Sequence, residues 1–286
     1  MWNDLVFSLR ALRRDPLITG VALLSLALGI GANTAIFSLL QQVVLRSLPV
    51  QDPELLVVLH RNYSPPGESM SDAHGSAVFS YPLYRDLRDR GGAFSGLVAR
   101  TSASVRLAWR GSTEGERVEI VSGNFFQTMG VPAAAGRVLR PDDDRADANP
   151  VVVLRHGYWL ARFGGSRDIL NQTVSVNGHP MVVVGVAAAG FNGLLQGQSP
   201  AVFVPIAAQR SVMPTMDALK KRSVRWLNLF ARLAPGVTVA RAQSVTDGVY
   251  RSLMETELAG MGPLRNQHEA ALFRDRRVEL PAIPHP

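Results

Sequence analysis

Apolar and polar positions divide the chain into two regimes. Between residues 16 and 45 no side chain is charged, and residues 17–40 are nearly all Leu, Ala, Ile, Val, Gly and small hydroxyls. As a helix, that stretch would be about 36 Å long. A hydrocarbon core of about 30 Å would be spanned with some tilt, and a helix satisfies its own backbone, as lipid demands. Beyond residue 48 the pattern changes to short alternating or apolar runs separated by Gly, Pro and Asn, the mark of a globular domain.

Arg10, Arg13 and Arg14 flank the apolar run on one side, and a lone Arg46 follows on the other. The positive-inside rule puts Met1 in the cytoplasm and residues 49–286 outside. A cleaved signal peptide fits less well, because its apolar region is only about 7–15 residues long. Arg13-Arg14 read as an ordinary cytoplasmic flank rather than a twin-arginine signal. Gly29-Ile30-Gly31 half-matches a dinucleotide loop, but Thr34 stands where the third glycine belongs, so that reading is rejected. Ser25, Gly29 and Ala32 share one helix face, where small residues let a second helix approach. Asn33 and Thr34 offer hydrogen bonds to such a partner. Residues 1–15 alternate Trp2, Leu5, Val6, Leu9 and Leu12 with polar positions. That pattern predicts an amphipathic helix in the membrane interface, with Trp2 at headgroup depth.

In the rest of the chain, residues 55–60 predict a buried strand. Ser80 caps a helix running from Tyr81-Pro82 to Gly91-Gly92, and residues 94–100 return as a strand. Residues 105–109 and 118–120 alternate about Gly111–Gly115 and predict a hairpin. A short helix is expected over 122–129, with Phe125 and Phe126 inward. A strand at 151–154 and a helix at 156–163 follow. Asn177-Gly178 between 173–176 and 181–186 is the strongest turn signal in the chain. A strand at 202–205 and another at 226–233 precede a helix capped by Thr238. That helix carries Val239, Ala242, Val245, Val249 and Leu253 on one face, and 277–280 forms a last strand. The sum is an α+β domain with two β-α-β units, 49–130 and 206–286, around a β-rich lobe, 131–205. It is not a doubly wound sheet.

The composition narrows the function. The 286 residues hold no cysteine, which removes disulfides, thiolate metal sites and cysteine nucleophiles. The net charge of +7 is nearly all arginine, the only lysines being Lys220 and Lys221. The arginines are spread along the chain rather than clustered, as on a solvated surface and not a nucleic-acid footprint. No two histidines lie three or four residues apart, so no helix carries a metal pair. Asp142, Asp143, Asp144 and Asp147 lack the spacing of a calcium loop and read as a solvated turn. Residues 197–201 only loosely resemble a nucleophile elbow, and no P-loop occurs. No catalytic, cofactor-binding or metal-binding residue is expected.

Several strings in order resemble the MacB-type ABC permease family, particularly its orphan permeases without a fused ATPase. They are ALGIGANTAIFS at 27–38, VSGNFF at 121–126, Gly130, Gly136-Arg137, Tyr158-Trp159, RFGG at 162–165, VNG at 176–178, VVGV at 183–186 and RLAPGV at 232–237. Asn171 departs from the family's usual glycine. The resemblance implies a two-lobed periplasmic core domain on a first membrane helix, an inner-membrane location and no enzymatic activity. It also implies a cytoplasmic ATPase acting in trans, a homodimer or second permease half, and a periplasmic adaptor. In this family ATP-driven motion is passed to the periplasmic domain by mechanotransmission. The family continues with three more membrane helices, so the chain ending at Pro286 looks like a truncated product, a fragment or a split gene. The alternatives are a single-pass, membrane-anchored binding module without transport and, more remotely, an anchored hydrolase.

Overall fold

The computed structural model describes residues 50–62, 78–195, 199–216, 218–260 and 277–281, together with 17, 19–21, 24–32 and 34. Two compact units are resolved, Met1–Ser47 with Pro286 and Leu48–His285. In the first, the described residues are helical, and Leu17, Val21, Leu24, Leu26, Leu28 and Ile30 are all at least 60% exposed. Among the described residues, no helix is long and apolar enough to cross a membrane.

The second unit carries ten strands and five α-helices among its described residues. In chain order they are β1 (Leu56–Arg61), α1 (Tyr81–Arg90), β2 (Phe94–Trp109), β3 (Ser112–Val121), α2 (Phe125–Met129) and β4 (Ala133–Gly136). There follow β5 (Val151–Leu154), α3 (His156–Phe163), β6 (Thr173–Val176), β7 (His179–Ala187) and β8 (Val202–Pro205). The last four are α4 (Gln209–Val212), β9 (Asn228–Leu233), α5 (Val239–Gly260) and β10 (Val278–Glu279).

Local chemistry explains most boundaries. Ser80 Oγ accepts the Leu83 amide hydrogen bond at the start of α1, with proline in its first turn. Thr238 Oγ1 does the same for the Arg241 amide at α5. The β6–β7 hairpin turns on Asn177 and Gly178, at φ 50° and 85°, the pair of positive values a type I′ turn requires. The β2–β3 hairpin turns the same way on Arg110 and Gly111, at φ 46° and 82°. This corrects the expected loop over Gly111–Gly115: β3 begins at Ser112, and Gly115 lies within it opposite Arg106. A two-residue turn matches the strand twist, so the ladder closes immediately. The two strands expected at 94–100 and 105–109 are likewise one continuous β2.

The strand order is β10-β1-β9-β2-β3-β8-β5-β7-β4. Its first four strands are antiparallel neighbours, so β1-α1-β2 and β9-α5-β10 interleave. That is the split β-α-β arrangement of a ferredoxin-like plait. β2 also joins a closed ring: β2 pairs β3, β3 pairs β8, β8 pairs β5, β5 pairs β7, β7 pairs β6, and β6 returns to the far end of β2, while β4 pairs with β7 alone. Closure removes the exposed edges that an open sheet would leave. β2 serves both parts: residues 94–100 pair with β9 in the plait, and Leu107 and Ala108 pair with β6 in the ring.

One core lies under α1, α3, α4 and α5 and includes Val57, Leu59, Tyr84, Leu97, Ile120 and Trp226. The opposite sheet face carries a second core, covered by α2, in which the rings of Phe125, Phe126, Phe191 and Phe203 meet edge-on, tilted or stacked at 5.2–6.3 Å. On that same face Arg100 Nε donates to Glu119 Oε1 at 2.8 Å, both side chains being almost wholly buried.

The apolar face of α5 differs from expectation. Ala242, Thr246, Tyr250, Leu253 and Met254 are buried, whereas Val239 and Val245 are 38% and 37% exposed. Beside the buried stripe, Gln243 and Asp247 hold the outer edge of β10. Val278 N donates to Asp247 Oδ1 at 3.1 Å and Leu280 N to Gln243 Oε1 at 2.8 Å, while Gln243 Nε2 donates to Val278 O. The helix turns to satisfy that open strand edge, and the two valines face outward as a result.

Candidate functional site

The N-terminal positions singled out in the sequence come first. Ser25, Gly29 and Ala32 are helical and exposed, and a Cβ on Gly29 would meet nothing within 4 Å. Thr34 Oγ1 donates to Ile30 O at 2.8 Å, so its hydroxyl serves its own helix. Asn33, Trp2, Leu5 and Leu9 lie outside the described residues.

In the larger unit a groove of about 990 Å³ opens beside α1. Three segments build it. Helix α1 supplies Tyr81, Arg85 and Arg88; the turn after β4 supplies Pro141, Asp144, Arg145 and Asp147; the stretch after β8 supplies Ala207, Arg210, Leu219 and Lys220. Gly123 and Asn124, before α2, form the remaining wall. Five cationic side chains thus surround two carboxylates, and Tyr81, Leu219 and the alanines give the lining an apolar share.

Asp144 ties these segments together. Its carboxylate accepts from Ala207 N at 2.8 Å and from Gly123 N at 3.1 Å. Gly123 is required there, because a Cβ would stand 2.7 Å from Arg140 O and 2.8 Å from Asp144 Cβ. Burial pushes the Asp144 carboxyl up to about 6, against the two amide hydrogen bonds and Arg88, which favour the charged form. Neighbouring Asp143 goes the other way. Burial raises it, but the paired hydrogen bonds from Arg137, at 2.6 and 2.8 Å, and that from Arg140 N hold it below its ordinary value. The acidic run is therefore only partly the solvated turn its sequence suggested. Asp142 and Asp147 are exposed, while Asp143 and Asp144 bind backbone and arginine. Among the described residues no group of three or more His, Asp or Glu could hold a metal ion.

Tyr81 and Tyr84 are both raised by burial, and Arg88 lies over the Tyr84 ring at 5.6 Å. Arg88 also pairs with Asp89, and Arg145 with Asp147, both on the surface. Arg85 and Lys220 make no hydrogen bond or ion pair among the described residues. The groove was not legible in the sequence, since its residues run from Tyr81 to Lys220. The one available signal was the confinement of both lysines to 220 and 221.

A second feature lies where the chain enters the domain. Arg232, on β9, donates to Thr128 O at 2.7 Å, to Asp52 O at 3.0 Å and to Gln51 O. Gln51 N donates in turn to Met129 O at 3.0 Å. One guanidinium thereby fastens the entering backbone at Gln51 and Asp52 and the end of α2 to β9.

Comparison with known proteins places this architecture. Over 85 residues the chain is 35% identical to the probable export ATP-binding/permease protein MacB of Pseudomonas entomophila, a match covering 30% of this chain and 13% of that protein. The fold resembles the periplasmic region of MacB from Actinobacillus actinomycetemcomitans (TM-score 0.53, 18% identity, 71% of this chain and 85% of the other). It also resembles a domain of a permease protein from Porphyromonas gingivalis (TM-score 0.53, 14% identity, 82% and 94%). The family described as MacB-like periplasmic core domain matches residues 19–247. On that match, which takes in most of the apolar run and the folded domain up to the first half of α5, the chain belongs to the MacB-like periplasmic core domain family.

Proposed function

We propose that the chain is a permease-type subunit of a MacB-like ABC transporter, coupling a separate cytoplasmic ATPase to motion of its domain outside the membrane. The observation that carries this reading is the single family match running from the apolar segment into the domain. Residues 16–48 form the membrane helix and stalk, and residues 1–15 lie in the inner face of the bilayer. Residues 49–130 and 206–286 form one periplasmic lobe and 131–205 the other. Ser25, Gly29, Ala32 and Asn33 pack the span against a second permease half or a second copy, while Trp2, Leu5 and Leu9 seat the interfacial helix. The Arg232 clamp supports the coupling, because a pull on residues 50–52 reaches β9 and α2 through hydrogen bonds rather than through a slack linker. An adaptor outside the membrane completes the assembly.

Purification of the tagged full chain from its native membrane tests this. Mass spectrometry of the purified material should find an ABC ATPase, and removing residues 1–48 should abolish its recovery. Equal recovery with residues 49–286 alone would overturn the coupling. A second reading, an anchored binding module without transport, is favoured by the arginine-lined groove, whose charge could serve recognition with no ATPase attached.

A further inference from the structure

We propose that the groove beside α1 binds an acidic polypeptide segment of an extracytoplasmic partner. The proposal stands on the groove itself and does not depend on the ATPase coupling. Its cations come from three separate elements: Arg85 and Arg88 from α1, Arg145 from the turn after β4, Arg210 and Lys220 from the stretch after β8. Five cations against two carboxylates leave more positive charge than a single small anion would neutralise. The two backbone amides that could have cradled such an anion, Gly123 N and Ala207 N, are already taken by Asp144. At about 990 Å³ the space is also many times larger than a phosphate or an acetate.

The occupant therefore carries several negative charges spaced along an extended chain. Tyr81, Leu219 and Ala207 interrupt the cations with apolar surface. A polypeptide meets that lining with both carboxylates and apolar side chains. A phosphate polymer would leave the apolar part uncovered. Arg85 and Lys220 are exposed on opposite segments and make no ion pair among the described residues, so they are available to it. Arg145 pairs with Asp147 on the surface, and exposed pairs of this kind exchange readily, whereas Arg88, paired with Asp89, also lies over the buried Tyr84 ring.

The test uses the full chain in detergent and fluorescence anisotropy. The probe is a labelled peptide alternating Glu and Leu, beside a Gln-for-Glu control peptide, inorganic polyphosphate, and vesicles of anionic lipid. The acidic peptide should bind at low salt, at least tenfold more tightly than its Gln counterpart, with affinity falling as salt rises. Arg85→Glu combined with Lys220→Glu should weaken binding by at least tenfold. Arg167→Glu combined with Arg251→Glu, exposed charge reversals outside the groove that match the groove variant in net charge, should leave it within twofold. Both variants are checked for unchanged circular dichroism and thermal unfolding. Equal losses in the groove and control variants would reduce the effect to net charge and overturn the proposal. Groove-dependent binding of polyphosphate or vesicles without binding of the peptide would overturn it in favour of a phosphate-bearing ligand. Equal binding of the Gln peptide would overturn the charge argument.

Discussion

Replacing Glu119 with leucine should unfold the domain more readily than any surface change. Glu119 and Arg100 sit side by side on the sheet face that carries the second core, their side chains 3% and 2% exposed and joined at 2.8 Å. Arg100 also reaches Asn228 Oδ1 at 3.4 Å, a longer and neutral contact. Glu119→Leu leaves the guanidinium buried without its carboxylate. Removing one partner of a buried pair costs about 3–5 kcal/mol. In a domain of this size each kcal/mol lowers Tm by roughly 2–4 °C, so the expected drop is about 6–20 °C. Thermal unfolding and urea titration of the full chain in detergent would measure it. The double variant Arg100→Met with Glu119→Leu removes both charges and should recover much of the loss, since an apolar replacement of such a pair is often neutral or better. A single-variant loss below about 1 kcal/mol would show that water reaches the guanidinium. A double variant as damaged as the sum of the two singles would show no coupling between them. Either result refutes the reasoning.

Three other outcomes follow from the geometry. Asp144 titrates near 6 in the folded state and at about 3.8 when unfolded. Between pH 4 and pH 6 the folded state holds the extra proton, so stability falls as pH rises through that window. The difference amounts to about 3 kcal/mol, read as a pH-dependent gap between the protein and Asp144→Asn in urea titrations; a gap that stays flat with pH would refute it. Gly185→Ala should be strongly destabilising, by more than about 3 kcal/mol by the measure of severe core changes. A Cβ there would lie 2.1 Å from Arg137 O and 2.7 Å from Ala135 O, both backbone atoms that cannot swing aside; normal thermal unfolding of the variant would sink this. Gln243→Ala should speed hydrogen exchange at Leu280, whose amide donates to the Gln243 side chain, and unchanged exchange would show that the edge of β10 is protected otherwise.

The sequence by itself determined the features whose causes are local. Asn177-Gly178 names its turn because only certain residues tolerate positive φ. Ser80 and Pro82 start α1, and Gly91-Gly92 ends it, through groups a few residues apart. The uncharged stretch over 16–45 and the ordered family strings were likewise there to read. Tertiary structure decided the rest. Nothing in β1, β2, β9 or β10 alone states that the two β-α-β units interleave, or that the strands between them close into a ring. Those pairings join residues far apart in the chain, and any apolar strand can meet several others. The face α5 buries depended on the open edge of β10, which its own periodicity does not contain. Asp144 looked like its exposed neighbours until Gly123 and Ala207 were brought to it. The groove exists only because folding carries arginines from three distant segments to one rim, and like charges bear no mark in the sequence of where they will meet.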